Sequence, residues 1–188
     1  MQQVFVNNRV IVKVGDITQE TSDAVVNAAN STLLGGGGVD GAIHSRGGRR
    51  ILEECREIRK NIFPNGLPTG EAVITSGGNL PAKFIIHTVG PVYGMNDGAD
   101  ALLLANCYEN SLALAAENDL QTIAFPSIST GAFGYPKHEA AEISSKTIEQ
   151  YLIQNSRVQQ VCLVFFSESD ALKFIRHQVF GSNAKVDS

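Results

Sequence analysis

Cysteine is scarce in this chain and never paired. Cys55, Cys107 and Cys162 are odd in number, far apart and set in apolar or helical stretches. No disulfide framework and no CxxC spacing follows, so the expectation is buried, inert thiols in a reducing compartment. Basic surplus is also missing: 15 Lys and Arg face 19 Asp and Glu, a net charge of −4. That disfavours binding along a nucleic-acid backbone, where phosphate contacts supply most of the affinity. No apolar stretch approaches the ~20 residues that cross a bilayer. The opening MQQVFVNNRV lacks the charged-then-apolar order of a secretory signal. A soluble, cytoplasmic protein without a membrane partner is expected. There is no GxxxxGK[ST], hence no P-loop triphosphatase, and no GxSxG nucleophile elbow. The four histidines show no metal-type spacing, so no metal ligand is expected. His44, His87 and His138 read as helix or strand residues without a catalytic role.

What is present is globular. Of 188 residues, 43% are apolar and 18% charged, without an internal repeat or linker. One domain over 1–180 is expected, with a short polar tail at 181–188, GSNAKVDS, disordered. Val10, Val12 and Val14 alternate as a strand ending at Gly15-Asp16, with a shorter strand at Val4–Val6 joined by an Asn7-Asn8 turn. Ala24–Val26 reads as a buried strand, and Gly41 to Lys60 as one amphipathic stretch with Ile43, Ile51, Leu52, Cys55 and Ile58 on its apolar side. Strands follow at Ala72–Thr75, Phe84–Val89, Thr122–Phe125 and Gln160–Phe166, alternating with helices at Ala99–Glu117, His138–Gln154 and Ser169–Gln178. Alternation of this kind implies crossover connections and a largely parallel, doubly covered sheet. The expected fold is a three-layer α/β/α sandwich around a mixed sheet of six or seven strands, the opening hairpin forming an antiparallel edge. Ligands of such sheets bind outside the carboxyl ends of the strands.

Unusual residues gather at those ends. Gly35–Gly38 and the segment from Ser127 to Tyr135 each run from a strand region toward a helix. Glycine admits positive φ and lets backbone approach a ligand, and a helix N-terminus offers unpaired N–H groups. Two such loops at one edge suggest a diphosphate ligand. Gly36, Gly38 and Gly41 match GxGxxG, but the strand ends about eight residues earlier and no acidic residue follows at the right place. The dinucleotide fingerprint is therefore rejected. Asp16, after its strand, reads equally as an acceptor for an adenine amine or as the cap of a short turn. Phe166 reads equally as a base contact or a core residue. Phe133, between small loop residues, reads as a lid over a ribose.

Together, VNAANSTLLGGGGVDGAIH (26–44), GDIT (15–18), FIIHTVGPVY (84–93) and PSISTGAFGYP (126–136) resemble a macrodomain, and the first segment resembles the MacroD-type branch. The likeness runs from about residue 10 to 178. It implies an ADP-ribose cleft, removal of mono-ADP-ribose from acidic side chains of proteins, and hydrolysis of O-acetyl-ADP-ribose, without a cofactor and as a monomer. Carried over by motif, Asn30 and Asp40 are the catalytic pair. Asp16 and Ile17 lie by the adenine, Phe166 near it. Asn27, Gly37, Gly38 and Val39 belong to the distal ribose and diphosphate side, and Ser129, Thr130, Gly131, Ala132 and Phe133 wrap the diphosphate and cap the ribose. One departure stands out: Ser45-Arg46-Gly47-Gly48 replaces an Ala-rich helical run.

The bond to be cut would join C1″ of ribose to a carboxylate ester, a centre able to develop oxocarbenium character. Asn30, uncharged, orients. Asp40 either holds or deprotonates the water. A carboxylate near a helix N-terminus is favoured in its charged form, which weakens it as a base. A diphosphate oxygen of the substrate is the alternative acceptor, and helix capping the non-catalytic role. Two other functions compete: an ADP-ribose reader without turnover, and a dinucleotide-dependent oxidoreductase.

Overall fold

The computed structural model describes residues 1–181. Of the expected tail, all but Gly181 lies outside the described residues.

Seven strands form one sheet: β1 (Gln2–Phe5), β2 (Val10–Val14), β3 (Ala24–Ala29), β4 (Ala72–Ser76), β5 (Phe84–Val89), β6 (Thr122–Phe125) and β7 (Gln160–Phe165). Their order is β1-β2-β7-β6-β3-β5-β4. The five inner strands are parallel, and β1 and β4 run antiparallel at the two edges. The hairpin edge is the expected one; the sequence carried no sign of orientation for β4. Val6, Asn7 and Asn8 take positive φ in the β1–β2 turn.

Five helices cover the sheet: α1 (Gly38–Gly47), α2 (Arg49–Asn61), α3 (Asp100–Glu117), α4 (Lys137–Gln154) and α5 (Glu168–His177). The strand period of two sorts side chains to opposite faces. Val12, Val26, Phe125 and Leu163 pack with Leu112, Ile148 and Phe174 of α3, α4 and α5. Val25, Ile85, Ala124 and Val164 pack with Ile43 and Ile51 of α1 and α2. Among the described residues, no helix is long and apolar enough to cross a membrane.

The stretch expected as one helix from Gly41 to Lys60 is two. Gly48, at φ 82°, breaks it in a conformation that favours glycine. The break falls inside the Ser45–Gly48 departure, and α2 begins at Arg49.

One register detail shapes the molecule. β3 pairs with β5 along its whole length, from Ala24↔Phe84 to Ala29↔Val89. With β6 it pairs only at Ala24↔Ile123 and Val25↔Ala124. Beyond Val25 the two strands part, and a crevice opens toward their carboxyl ends.

Candidate functional site

The crevice widens into a cleft lined by Ala28, Ala29, Asn30, Gly36–Asp40, Gly90, Ser127, Ser129 and Gly131–Phe133. Because the inner strands are parallel, their carboxyl ends share one edge. Along it stand Asp16 after β2, Phe166 after β7, Ser127 after β6, Asn30 after β3 and Gly90 after β5. At roughly 4.8 Å per strand step, the ends of β2 and β3 lie about 14 Å apart.

Asn30 and Asp40 meet across Gly36. A Cβ built on Gly36 would stand 3.0 Å from Asp40 Oδ2 and 3.1 Å from Asn30 Nδ2, so no larger residue fits without displacing one of them. The loop closes on itself through Asn30. Its Nδ2 donates to the Gly35 carbonyl at 3.0 Å, and its Oδ1 accepts from the Thr32 amide at 3.0 Å and the Thr32 hydroxyl at 2.5 Å. One Nδ2 proton stays uncommitted. Gly41 lets the loop lie against α1, since a Cβ there would meet the Gly36 carbonyl oxygen at 2.6 Å.

Asp40 occupies the first turn of α1 and is 4% exposed. It does not cap the helix: the N-cap is Gly37, with no side-chain cap bond. Asp40 Oδ1 accepts from Asn27 Nδ2 at 2.7 Å, while Oδ2 has no hydrogen-bond partner among the described residues. His44, one turn on, brings Nε2 to 3.4 Å from Asp40 Oδ1, close enough for a charge contact but outside hydrogen-bond geometry. The unpaired amides of the first turn of α1 open on the same cleft.

The second loop behaves differently from expectation. α4 starts at Lys137 with Pro136 as N-cap, beyond the cleft-lining residues. The loop is held instead by its own turns, Gly134 N to Gly131 O at 3.0 Å and Tyr135 N to Ser129 O at 2.9 Å. Ser129 takes φ 63°, and its buried Oγ has no partner among the described residues. Gly90 fits beneath it because a Cβ there would come within 2.1 Å of Ser129 Oγ. Of the two glycine-rich loops, only the first sits at a helix start.

The other expected residues divide. Gly37, Gly38, Val39, Ser129, Gly131, Ala132 and Phe133 line the cleft. Thr130 is tied back, its hydroxyl donating to the Ser127 carbonyl at 3.0 Å. Asn27, expected to touch ligand, is fully buried beneath Asp40 and cannot reach it. Ile17 is buried in the core under α1 and α2. Phe166 is 89% exposed, which removes the core alternative. Asp16 does cap a 3-10 turn, accepting from Thr18 N at 3.0 Å and Thr18 Oγ1 at 2.6 Å. The Thr18 hydroxyl holds its carboxyl below the usual carboxylate range against partial desolvation, with help from the Thr18 amide and Arg46. Arg46 NH2 lies 3.3 Å from Asp16 Oδ2. The departure at Ser45–Gly48 therefore touches the GDIT motif at Asp16.

Sequence reading missed the histidines. His44, Cys55 and His87 bring ligand-type atoms within 4.8 Å of one another behind Asp40. His87 is fully buried. Its Nδ1 accepts a hydrogen bond from Asn27 Nδ2 at 3.1 Å, so Nε2 carries the ring hydrogen, facing Thr75 Oγ1 at 2.9 Å and Cys55 Sγ at 3.8 Å. A protonated Nε2 has no lone pair for an ion. Burial, with the Asp40 and Glu54 charges, pushes the Cys55 thiol up to about 12, and it stays a neutral thiol. His87 and Cys55 are arranged as part of a hydrogen-bond network, while His44 Nε2 is buried without a partner among the described residues.

Residues 26–144 match the family model of the Macro domain. A protein of Citrobacter koseri named O-acetyl-ADP-ribose deacetylase is 48% identical over 90% of this chain and 94% of its own length. The solved macrodomain of Oceanobacillus iheyensis with ADP superposes with a TM-score of 0.89 at 50% identity, covering 94% of this chain and 93% of that one. The Trypanosoma brucei macrodomain in complex with ADP-ribose gives 0.81 at 37% identity, over 90% of this chain and 68% of that one. The family match spans more than half of the chain, and the seven-stranded sheet and the glycine-rich cleft agree with it: the chain belongs to the Macro domain family.

Proposed function

We propose that the chain binds ADP-ribose in this cleft and hydrolyses it from mono-ADP-ribosylated glutamate and aspartate side chains, and also deacetylates O-acetyl-ADP-ribose, as a MacroD-type enzyme. One observation carries the reading: the order of chemistry along the sheet edge. Asp16 and the exposed ring of Phe166 stand at one end, the loop around Ser129 in the middle, and Asn30 with Asp40 at the other. That order suits a long ligand with a base, a diphosphate and a second sugar. The relatives named as deacetylases, and those solved with ADP or ADP-ribose, support the ligand class.

In this reading the adenine lies against Phe166, with its exocyclic amine toward Asp16, whose Oδ2 it shares with Arg46. The first-turn amides of α1 and the backbone of Gly131 and Ala132 hold the diphosphate. Phe133 covers the distal ribose. The free Nδ2 proton of Asn30 bonds a ribose hydroxyl and fixes C1″ beside Asp40. Asp40 Oδ2, buried and unpaired beside Gly36, accepts a hydrogen bond from a water aimed at C1″ once the Gly36 loop shifts to admit it. Water oxygen bonds to C1″, the C1″–O bond to the side-chain carboxylate breaks, and the carboxylate leaves with the bonding pair. The water proton passes to Asp40 or to a diphosphate oxygen. Asp40 thus positions the nucleophile in either case.

Incubation with an auto-ADP-ribosylated acceptor protein is the test. Released ADP-ribose, together with calorimetric binding of free ADP-ribose, is expected. Binding without release would make the chain a reader; no binding at all would remove the whole reading.

A further inference from the structure

We infer that His87 is a positioning residue for Asp40, acting through Asn27 from inside the sheet; the inference rests on the hydrolase reading above. Asn27 Nδ2 gives one proton to Asp40 Oδ1 at 2.7 Å and the other to His87 Nδ1 at 3.1 Å. Its own Oδ1 has no partner among the described residues. The two donated bonds are therefore what hold the amide in place. A flipped amide would set an oxygen against the Asp40 carboxylate and another lone pair against His87.

His87 can accept only as one neutral tautomer, with hydrogen on Nε2. Thr75 enforces it. Its hydroxyl takes the Nε2–H at 2.9 Å and gives its own proton to the Ser76 carbonyl at 3.1 Å. The hydrogen bonds are donated one way: Asn27 to His87, His87 to Thr75, Thr75 to Ser76. The chain crosses three neighbouring strands, β3, β5 and β4, with His87 and Asn27 paired in register. Asn27, Asp40, Thr75 and His87 are each no more than 4% exposed, so no solvent competes for these bonds. Burial and the neighbouring His44 press the His87 pKa down to about 3, against a smaller pull from Glu54, which keeps Nδ1 an acceptor at working pH. Charging His87 or removing its acceptor would free Asn27 to turn, and Asp40 with it. A side chain misplaced by about 1 Å at a reacting centre costs on the order of a hundredfold in rate.

Three measurements decide it. In 15N-edited NMR at pH 7, His87 should show a neutral ring protonated on Nε2. A ring protonated on Nδ1, or a charged one, overturns the inference. In the hydrolase assay, His87→Phe should lose about tenfold or more in kcat with the ADP-ribose Kd changed less than about threefold. His87→Asn, whose amide oxygen reaches the Nδ1 position, should recover most of that loss. A merely structural role predicts lower melting temperatures for both variants and near-normal kcat at temperatures where they are folded, and that result overturns the inference. Should His87→Phe not fold, Thr75→Val takes its place; kcat equal to wild type there overturns the inference. A wild-type chain without turnover removes the hydrolase reading and this inference together. A wild-type chain that turns over, with His87→Phe at wild-type kcat, removes the inference alone.

Discussion

Gly36 lies between the two side chains that matter most, and its missing Cβ lets Asn30 and Asp40 share one point of the cleft. The two oxygens of Asp40 differ: Oδ1 satisfies the buried Asn27 amide, and Oδ2 is buried beside Gly36 without a partner among the described residues. Substitution separates them. Asp40→Asn keeps an acceptor for Asn27 and should melt near wild type while kcat falls about a hundredfold. Asp40→Ala should lose the activity and also about 1–3 kcal/mol of stability, because the Asn27 amide is left buried with one unpaired proton. Calorimetry with ADP-ribose and a melting curve distinguish the two. His87 gives a second expectation. Its folded pKa, about 3, lies below the ordinary 6.5, so the unfolded chain binds the extra proton between those values. This group contributes stability that is full above pH 6.5 and declines as pH falls toward 3, by at most about 1.4 kcal/mol per pH unit. Urea unfolding at pH 8, 6 and 5 should show a shallower acid loss in His87→Asn than in wild type. Asn30 and Asp40 follow from the resemblance of segment 26–44 to a macrodomain, not from their own spacing. Asn27 is expected on the ligand side but lies beneath Asp40, and the partners of His44 and His87 could not be read, because a polar side chain in the regular period of a strand or helix gives no sign of whom it faces.

At the level of the element, the strands and most helices follow from alternation and apolar period, and their bounds shift by a residue or two, except that β3 runs three residues past Val26 to Ala29. Two features escaped. The break between α1 and α2 is a matter of one dihedral at Gly48, inside a stretch whose apolar spacing reads through it. The start of α4 is set by Pro136, which leaves the Ser129 loop to hold its shape by its own turns. That loop leans on β5 through Gly90. Gly90→Ala would drive a methyl into Ser129 Oγ at 2.1 Å and Ile128 Cγ2 at 2.7 Å, so the loop must move. The variant should bind ADP-ribose about tenfold or more weakly, with the sheet intact by circular dichroism. Unchanged affinity would mean that the loop does not touch the ligand.

For the molecule as a whole, the fold class was readable from the order of strands and helices, and the site's location from the rule of strand carboxyl ends. The direction of β4 and the parting of β3 from β6 were not, because pairing register is decided by contacts far apart in sequence. That parting has a kinetic consequence. The gap is fixed by backbone pairing on its far side, with β5 bonded along all of β3, so no domain has to swing before a nucleotide enters. Stopped-flow mixing should then give a single phase whose observed rate climbs in proportion to ligand concentration, without the plateau of a rate-limiting rearrangement.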